Sequence, residues 1–241
     1  TDGMPLPWAW QEALADARIE RQSIGVSRAD VARVQRPGQA DAFVKSEVID
    51  AFSELGDEIA RLRWLQEQGQ PAPTVIATAE EAGRRWLLMS ALPGRDLASA
   101  PELAPQELVE LLADALRGLH ALPVAACPFD QRLASRLQAA QARVEAGRVD
   151  ADDFDDERLG QSPQQVFAEL CSTRPDHEDL VVSHGDACLP NLMVDPWFAE
   201  QINRRLPALR QVVDELGLQT LAEASDSSAA GGFDLRFGRT H

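Results

Sequence analysis

The sequence predicts an α+β chain in two lobes: an N-terminal antiparallel sheet interrupted by one helix, then a mostly helical second lobe. Three observations carry this. Strand-like stretches fill the first ninety residues apart from one helical run at 54–69. A Pro/Gly connection, ALPGRDLAS, follows at 91–99. Beyond it, apolar residues recur at helical spacing.

QSIGVSRADVARVQR (22–36) alternates apolar and polar residues around a small-residue turn and reads as a hairpin. ADAFVKSEV (40–48) is a strand with Ala42 and Val44 on one face and Phe43 and Lys45 on the other. ELGDEIARLRWLQEQG (54–69) places Leu55, Ile59, Leu62 and Leu65 on one helical stripe, with Gly69 as its stop. PTVIAT (73–78) and RRWLLMS (84–90) are strands, so the first lobe reads β-β-β-α-β-β. After the connection, 105–122 is a helix with a leucine stripe and Pro105 at its start. Further helices are expected at 131–147 and 162–173, and a strand at 179–183. Residues 196–224 form an amphipathic helical pattern broken near Pro207; a low-complexity linker (225–232) and a short apolar-basic end follow. The expected organisation is a first lobe at 4–90, a hinge at 91–99, a helical lobe at 100–195 and a divergent tail at 196–241.

Composition narrows the function classes. An apolar fraction of 44% in 241 residues supports a substantial core. A net charge of −16 makes nucleic acid a poor partner and favours a cationic ligand. No apolar run approaches the ~18–20 residues that cross a bilayer, so no membrane association is expected. The first ten residues carry no basic segment of a secretory leader. Cys127, Cys171 and Cys188 form no CxxC pattern, which fits a reducing cytoplasm.

The chemistry-bearing stretch is VVSHGDACLPNLMVDP (181–196), where a hydrophobic strand runs into His184, Gly185 and Asp186, with Asn191 five residues after the Asp. An ionised Asp past a strand end can accept a substrate hydroxyl's proton. An amide returned to the same loop can offer its oxygen to Mg²⁺, which prefers hard ligands. Asp-x-x-x-x-Asn is the spacing of kinase catalytic loops. Lys45 lies mid-strand, and Glu58 lies thirteen residues on, in the first turns of the next helix. A strand lysine paired with a helix glutamate is how kinases set an amine against phosphate oxygens. In the turn IGVSRADV (24–31), Ser27 is a candidate phosphate contact, although the turn holds a single glycine.

Together these residues resemble the aminoglycoside phosphotransferases, and more closely the aminoglycoside 3'-phosphotransferases. FVKSEV, EIARLRWL, WLLMSALPG, LRGLHALPVAACPFD, VDADDFDDE and DLVVSHGDACLPNLMV stand in that family's order, over roughly residues 8–195. The resemblance implies a bilobal, protein-kinase-like fold. It also implies Mg²⁺-dependent transfer of the γ-phosphoryl of ATP to the 3'-hydroxyl of kanamycin- and neomycin-like antibiotics, and hence antibiotic resistance. By motif, Asp186 is the catalytic aspartate, Asn191 a magnesium ligand, Lys45 the phosphate contact and Glu58 its positioner. Ser27 covers the phosphates, and Ser90 and Leu92 offer hinge backbone groups to the adenine. The run Asp150 to Glu157 holds six carboxylates in eight positions, and the resemblance turns Asp153 and Asp156 towards the antibiotic.

Past Asp195 the chain departs from that pattern. The family's Phe-Ile-Asp-x-Gly strand end is absent; its nearest echo is GGFDLRFGR, whose Asp234 lies 43 residues after Asn191. Asp234 is therefore the candidate second metal ligand. The alternative readings are a degenerate, non-catalytic nucleotide-binding relative and a kinase for another hydroxylated amine.

Overall fold

The structure, a computed structural model, describes residues 4–22, 29–194 and 238–240. Its five-stranded antiparallel sheet has the order β1-β2-β3-β5-β4. The strands are β1 (Arg18–Gln22), β2 (Asp30–Gln35), β3 (Ala42–Val48), β4 (Val75–Glu81) and β5 (Arg84–Ser90). The helix between β3 and β4 is α2 (Leu55–Glu67), and a short α1 (Trp8–Gln11) precedes the sheet. The crossover through α2 makes β3 and β4 parallel and leaves a gap between them. The β4–β5 hairpin fills that gap, pairing β5 with β3 from Ala42↔Ser90 to Val48↔Arg84.

Both faces of the sheet are covered, so β3 is buried throughout its centre: Val44, Lys45, Ser46 and Glu47 are all buried. On one face Val44 packs with Ala32, Val34 and Trp86 beneath Met4, Trp10 and Leu14 of the N-terminal segment. On the other lies α2, whose stripe Leu55, Ile59, Leu62 and Leu65 is buried as its spacing predicts. Leu62 and Leu65 each remove a full leucine from water, about 1.5–3 kcal/mol apiece.

The chain divides into two compact units. The first takes the described residues up to Ile49, then Leu55–Leu112 and 186–194; the second takes Asp50–Glu54, Ala113–Gly185 and 238–240. Besides the sheet, the first unit holds a smaller apolar cluster of Leu97, Ala100, Leu103 and Val194, with Leu108, Leu111, Leu189 and Leu192 against it. The two-stranded ladder of β6 (Arg95–Asp96) and β8 (Met193–Val194) frames this cluster, and Leu97 N–H donates to Leu192 O at 2.9 Å. Helix α3 (Pro105–His120) begins here and runs on into the second unit.

The second unit contains α4 (Leu133–Glu145), α5 (Pro163–Ser172) and the strand β7 (Val181–Ser183). β7 pairs antiparallel with β9 (Gly238–Thr240) in the register Val181↔Thr240 to Ser183↔Gly238. Its helices are only partly covered: neither α4 nor α5 buries a residue completely. A mostly apolar cavity of 220 Å³ lies between them, lined in part by Val144, Val149, Phe154, Val166 and Phe167. Helix α5 starts with a full capping box. Ser162 accepts from Gln165 N–H, and the Gln165 side chain accepts from Ser162 N–H at 2.8 Å. Replacing Ser162 with Ala should cost about 1 kcal/mol, read as a lowered urea midpoint at unchanged slope.

Candidate active site

The site is built from the first unit's central strand, its helix and its second cluster. Lys45 Nζ donates to Glu58 Oε1 at 2.6 Å, and the two residues are 2% and 8% exposed. Strand pleating explains why they meet. Lys45 and Glu47 share the β3 face that carries α2, and Glu47 Oε2 accepts from Leu55 N–H at 2.8 Å, capping the helix. Glu58 lies one turn further along α2. On the same strand, Ser46 Oγ accepts from Arg84 at 2.7 Å, and Arg84 also pairs with Asp30.

The Asp186 loop rests on the second cluster. After β7, Gly185 takes φ +81, a left-handed conformation that a glycine enters without steric cost. Cys188 N–H then donates to Asp186 O, and Asn191 N–H to Cys188 O, each at 3.0 Å. A single turn of 3-10 helix, Leu189–Asn191, closes the loop, and Leu189 and Leu192 pack into the apolar cluster. The predicted partners meet here: Asn191 Nδ2 donates to Asp186 Oδ2 at 2.8 Å and to Asp186 O at 3.0 Å. The other end of the amide is unmatched. Asn191 Oδ1 is buried and has no hydrogen-bond partner among the described residues. A buried amide oxygen of this kind costs free energy unless a donor or cation reaches it, so its chemistry fits a Mg²⁺ ligand. No cluster of three or more His, Cys, Asp or Glu suited to a metal occurs among the described residues. Between the two site residues, burial and then the Asp186 charge push the Cys188 thiol up, so it stays protonated at neutral pH.

Ser90 closes the β3–β5 ladder opposite Ala42, and its Oγ accepts from Thr74 N–H at 2.9 Å. Leu92 follows two residues later, past the end of β5. Ser27 and Asp234 lie outside the described residues. In the second unit, Asp153 and Asp156 are exposed, and their carboxylates make no hydrogen bond or ion pair among the described residues. Their neighbours are engaged. Asp150 Oδ1 accepts from Asp152 N–H at 3.0 Å, and Asp155 accepts from Arg158 at 2.7 Å. Asp155 and Glu169 together push the Arg158 guanidinium up.

One buried polar residue at the site, Glu47, went unread in the sequence. Glu47 caps α2 from eight residues away, and a strand carboxylate gives no local signal of that role. His184, marked in the sequence by its place beside Gly185 and Asp186, is buried just before the Asp186 loop.

The phosphotransferase enzyme family's model matches residues 18–202. The chain is 42% identical over 144 residues to an aminoglycoside 3'-phosphotransferase of Streptomyces fradiae, covering 59% of this chain and 54% of that one. The crystal structure of a type VIII aminoglycoside-3'-phosphotransferase superposes with TM-score 0.69 at 37% identity, covering 78% of this chain and 70% of that one. A Streptomyces rimosus aminoglycoside phosphotransferase in complex with ADP and streptomycin gives TM-score 0.65 at 26% identity, covering 95% and 74%. The curated relatives at the head of the comparison are longer than the match: the chain spans 54% to 66% of their length. The bilobal α+β fold expected from the residues is the fold of these neighbours. The chain belongs to the phosphotransferase enzyme family, with the aminoglycoside 3'-phosphotransferases.

Proposed function

We propose that the chain transfers the γ-phosphoryl of ATP to the 3'-hydroxyl of kanamycin- and neomycin-class aminoglycosides and so confers resistance to them. The observation that carries this reading is the Asp186–Asn191 pair, with its 2.8 Å bond and the unmatched amide oxygen beside the carboxylate. Asp186 orients the hydroxyl and takes its proton as the oxygen attacks phosphorus; the bond from phosphorus to the β,γ-bridging oxygen breaks and ADP leaves. Lys45, held by Glu58, presents its ammonium to phosphate oxygens. Ser27 covers the phosphates, and the backbone at Ser90 and Leu92 meets the adenine. Asn191 Oδ1 and Asp234 would hold Mg²⁺, which when bound neutralises phosphate charge. Asp153 and Asp156 receive the antibiotic's ammonium groups, a role that suits two exposed carboxylates with no partner among the described residues.

The nucleotide and antibiotic of the Streptomyces rimosus complex support both ligand classes. Residues 4–90 then act as the nucleotide lobe, 91–99 as the hinge and 100–195 as the catalytic lobe. Among the described residues no helix is long and apolar enough to cross a membrane, and an ATP-dependent enzyme of this kind works in the cytoplasm. Coupled ADP release tests the proposal. Release should rise with kanamycin or neomycin and stay at background without acceptor. Nucleotide that raises the melting temperature with no phosphorylated product would instead support the non-catalytic reading.

A further inference from the structure

Arg84 links three strands of the sheet at the rung beside Lys45. Strand pairing sets Asp30 of β2 opposite Ser46 of β3, and Ser46 opposite Trp86 of β5. Alternation puts Arg84, two residues before Trp86, on the same face. That face lies beneath the N-terminal segment, opposite α2. Arg84 Nη2 donates to Ser46 Oγ at 2.7 Å and lies 3.3 Å from Ser46 O, and Nε donates to the same hydroxyl oxygen at 3.3 Å. Nη2 also forms an ion pair with Asp30. The guanidinium carbon lies 5.8 Å from the centre of the Trp86 ring.

Burial explains why an arginine stands here. Ser46 is fully buried, and a hydroxyl taken out of water needs a partner. The ion pair with Asp30 is partly open to water and contributes little to stability by itself. What it fixes is the spacing of β2 against β3. A lysine amine would lack the planar fork that serves Ser46 and Asp30 together. This linkage meets the candidate site at two points. Ser46 follows Lys45 on β3, so a hold on Ser46 is a hold on the strand where the amine branches from it. Val31, the residue after Asp30, stands opposite Lys45 in the ladder.

We propose that Arg84 is a positioning residue for nucleotide: by joining Asp30 to Ser46 it fixes the start of β2 against the Lys45 rung and so sets how the amine meets phosphate. This rests on the functional reading above. Arg84 acts through the strand, from the face opposite Lys45.

Nucleotide affinity tests it. Arg84→Ala should weaken ADP binding about tenfold and raise the KM for ATP by the same factor, with kcat and the KM for kanamycin within about threefold of the original. Arg84→Lys keeps the charge without the fork and should recover less than half of that loss. Asp30→Ala should weaken ADP binding about fivefold, and adding it to Arg84→Ala should weaken binding no further, because both remove one linkage. Ser162→Ala lowers stability elsewhere and should leave ADP affinity unchanged. Unchanged ADP affinity in Arg84→Ala, full recovery by Arg84→Lys, or losses that multiply in the double variant overturn the proposal. If Arg84→Ala does not fold, Arg84→Lys takes its place in the cycle with Asp30→Ala. If the unsubstituted chain binds no ADP, the functional reading falls on its own. The linkage is then judged by hydrogen exchange: amides 30–32 and 45–47 should exchange faster in Asp30→Ala, and unchanged exchange rejects it.

Discussion

Replacing Asp186 with Asn should lower kcat for kanamycin phosphorylation by about 10²–10⁴-fold, the range a positioned general base supplies, with ADP affinity changed less than about threefold. The substitution keeps the shape that Asn191 Nδ2 now binds at 2.8 Å and removes only the carboxylate's charge and basicity. Loss of kcat at intact nucleotide affinity therefore reports chemistry rather than a collapsed loop. Single-turnover phosphorylation with calorimetric titration of ADP separates the two. A variant within tenfold of the original rate would mean that the hydroxyl's proton leaves by another route.

The second large effect is expected at Lys45. Lys45→Met should destabilise the chain by about 3–5 kcal/mol, because it strands the buried Glu58 carboxylate without its cation. It should also abolish detectable turnover. The double variant Lys45→Met with Glu58→Leu removes both charges and should recover most of that stability without recovering activity. Urea denaturation reads the first quantity and ADP release the second. If the double variant were active, the amine would have no part in holding phosphate. If Lys45→Met were as stable as the original, the pair would be open to water.

Much of the fold was legible because the first ninety residues repeat simple periods. The run 84–90 became β5 with no shift of boundary, and the Leu55–Ile59–Leu62–Leu65 stripe marked α2 to within two residues at either end. Lys45 and Glu58 could be paired in advance, since strand and helix are adjacent in the chain and kinase chemistry requires such a pair. The burial of both faces of β3 was harder to see. Alternation divided Ala42 and Val44 from Phe43 and Lys45 without saying that both faces are covered; α2 and the N-terminal segment lie on opposite sides, so Lys45 and Glu47 are interior groups with partners. The ion pair of Arg143 with Glu54 was invisible for a different reason. Arg143 and Glu54 are 89 residues apart, and no local period links such positions. Within the acidic run, the resemblance singled out Asp153 and Asp156, but charge alone did not; the folded loop adds that Asp155 is engaged by Arg158.

Helix α2 is fastened to β3 at two rungs, the Glu47 cap on Leu55 and the Lys45–Glu58 pair. Swinging the helix outward would break both at once, carrying Glu58 away and leaving Lys45 and Glu47 on the strand without these two bonds. Signalling kinases throttle themselves through displacement of this helix, whereas here the off position is costly. The pairing that the proposed activity requires is thus built into the resting fold, with no separate event needed to set it.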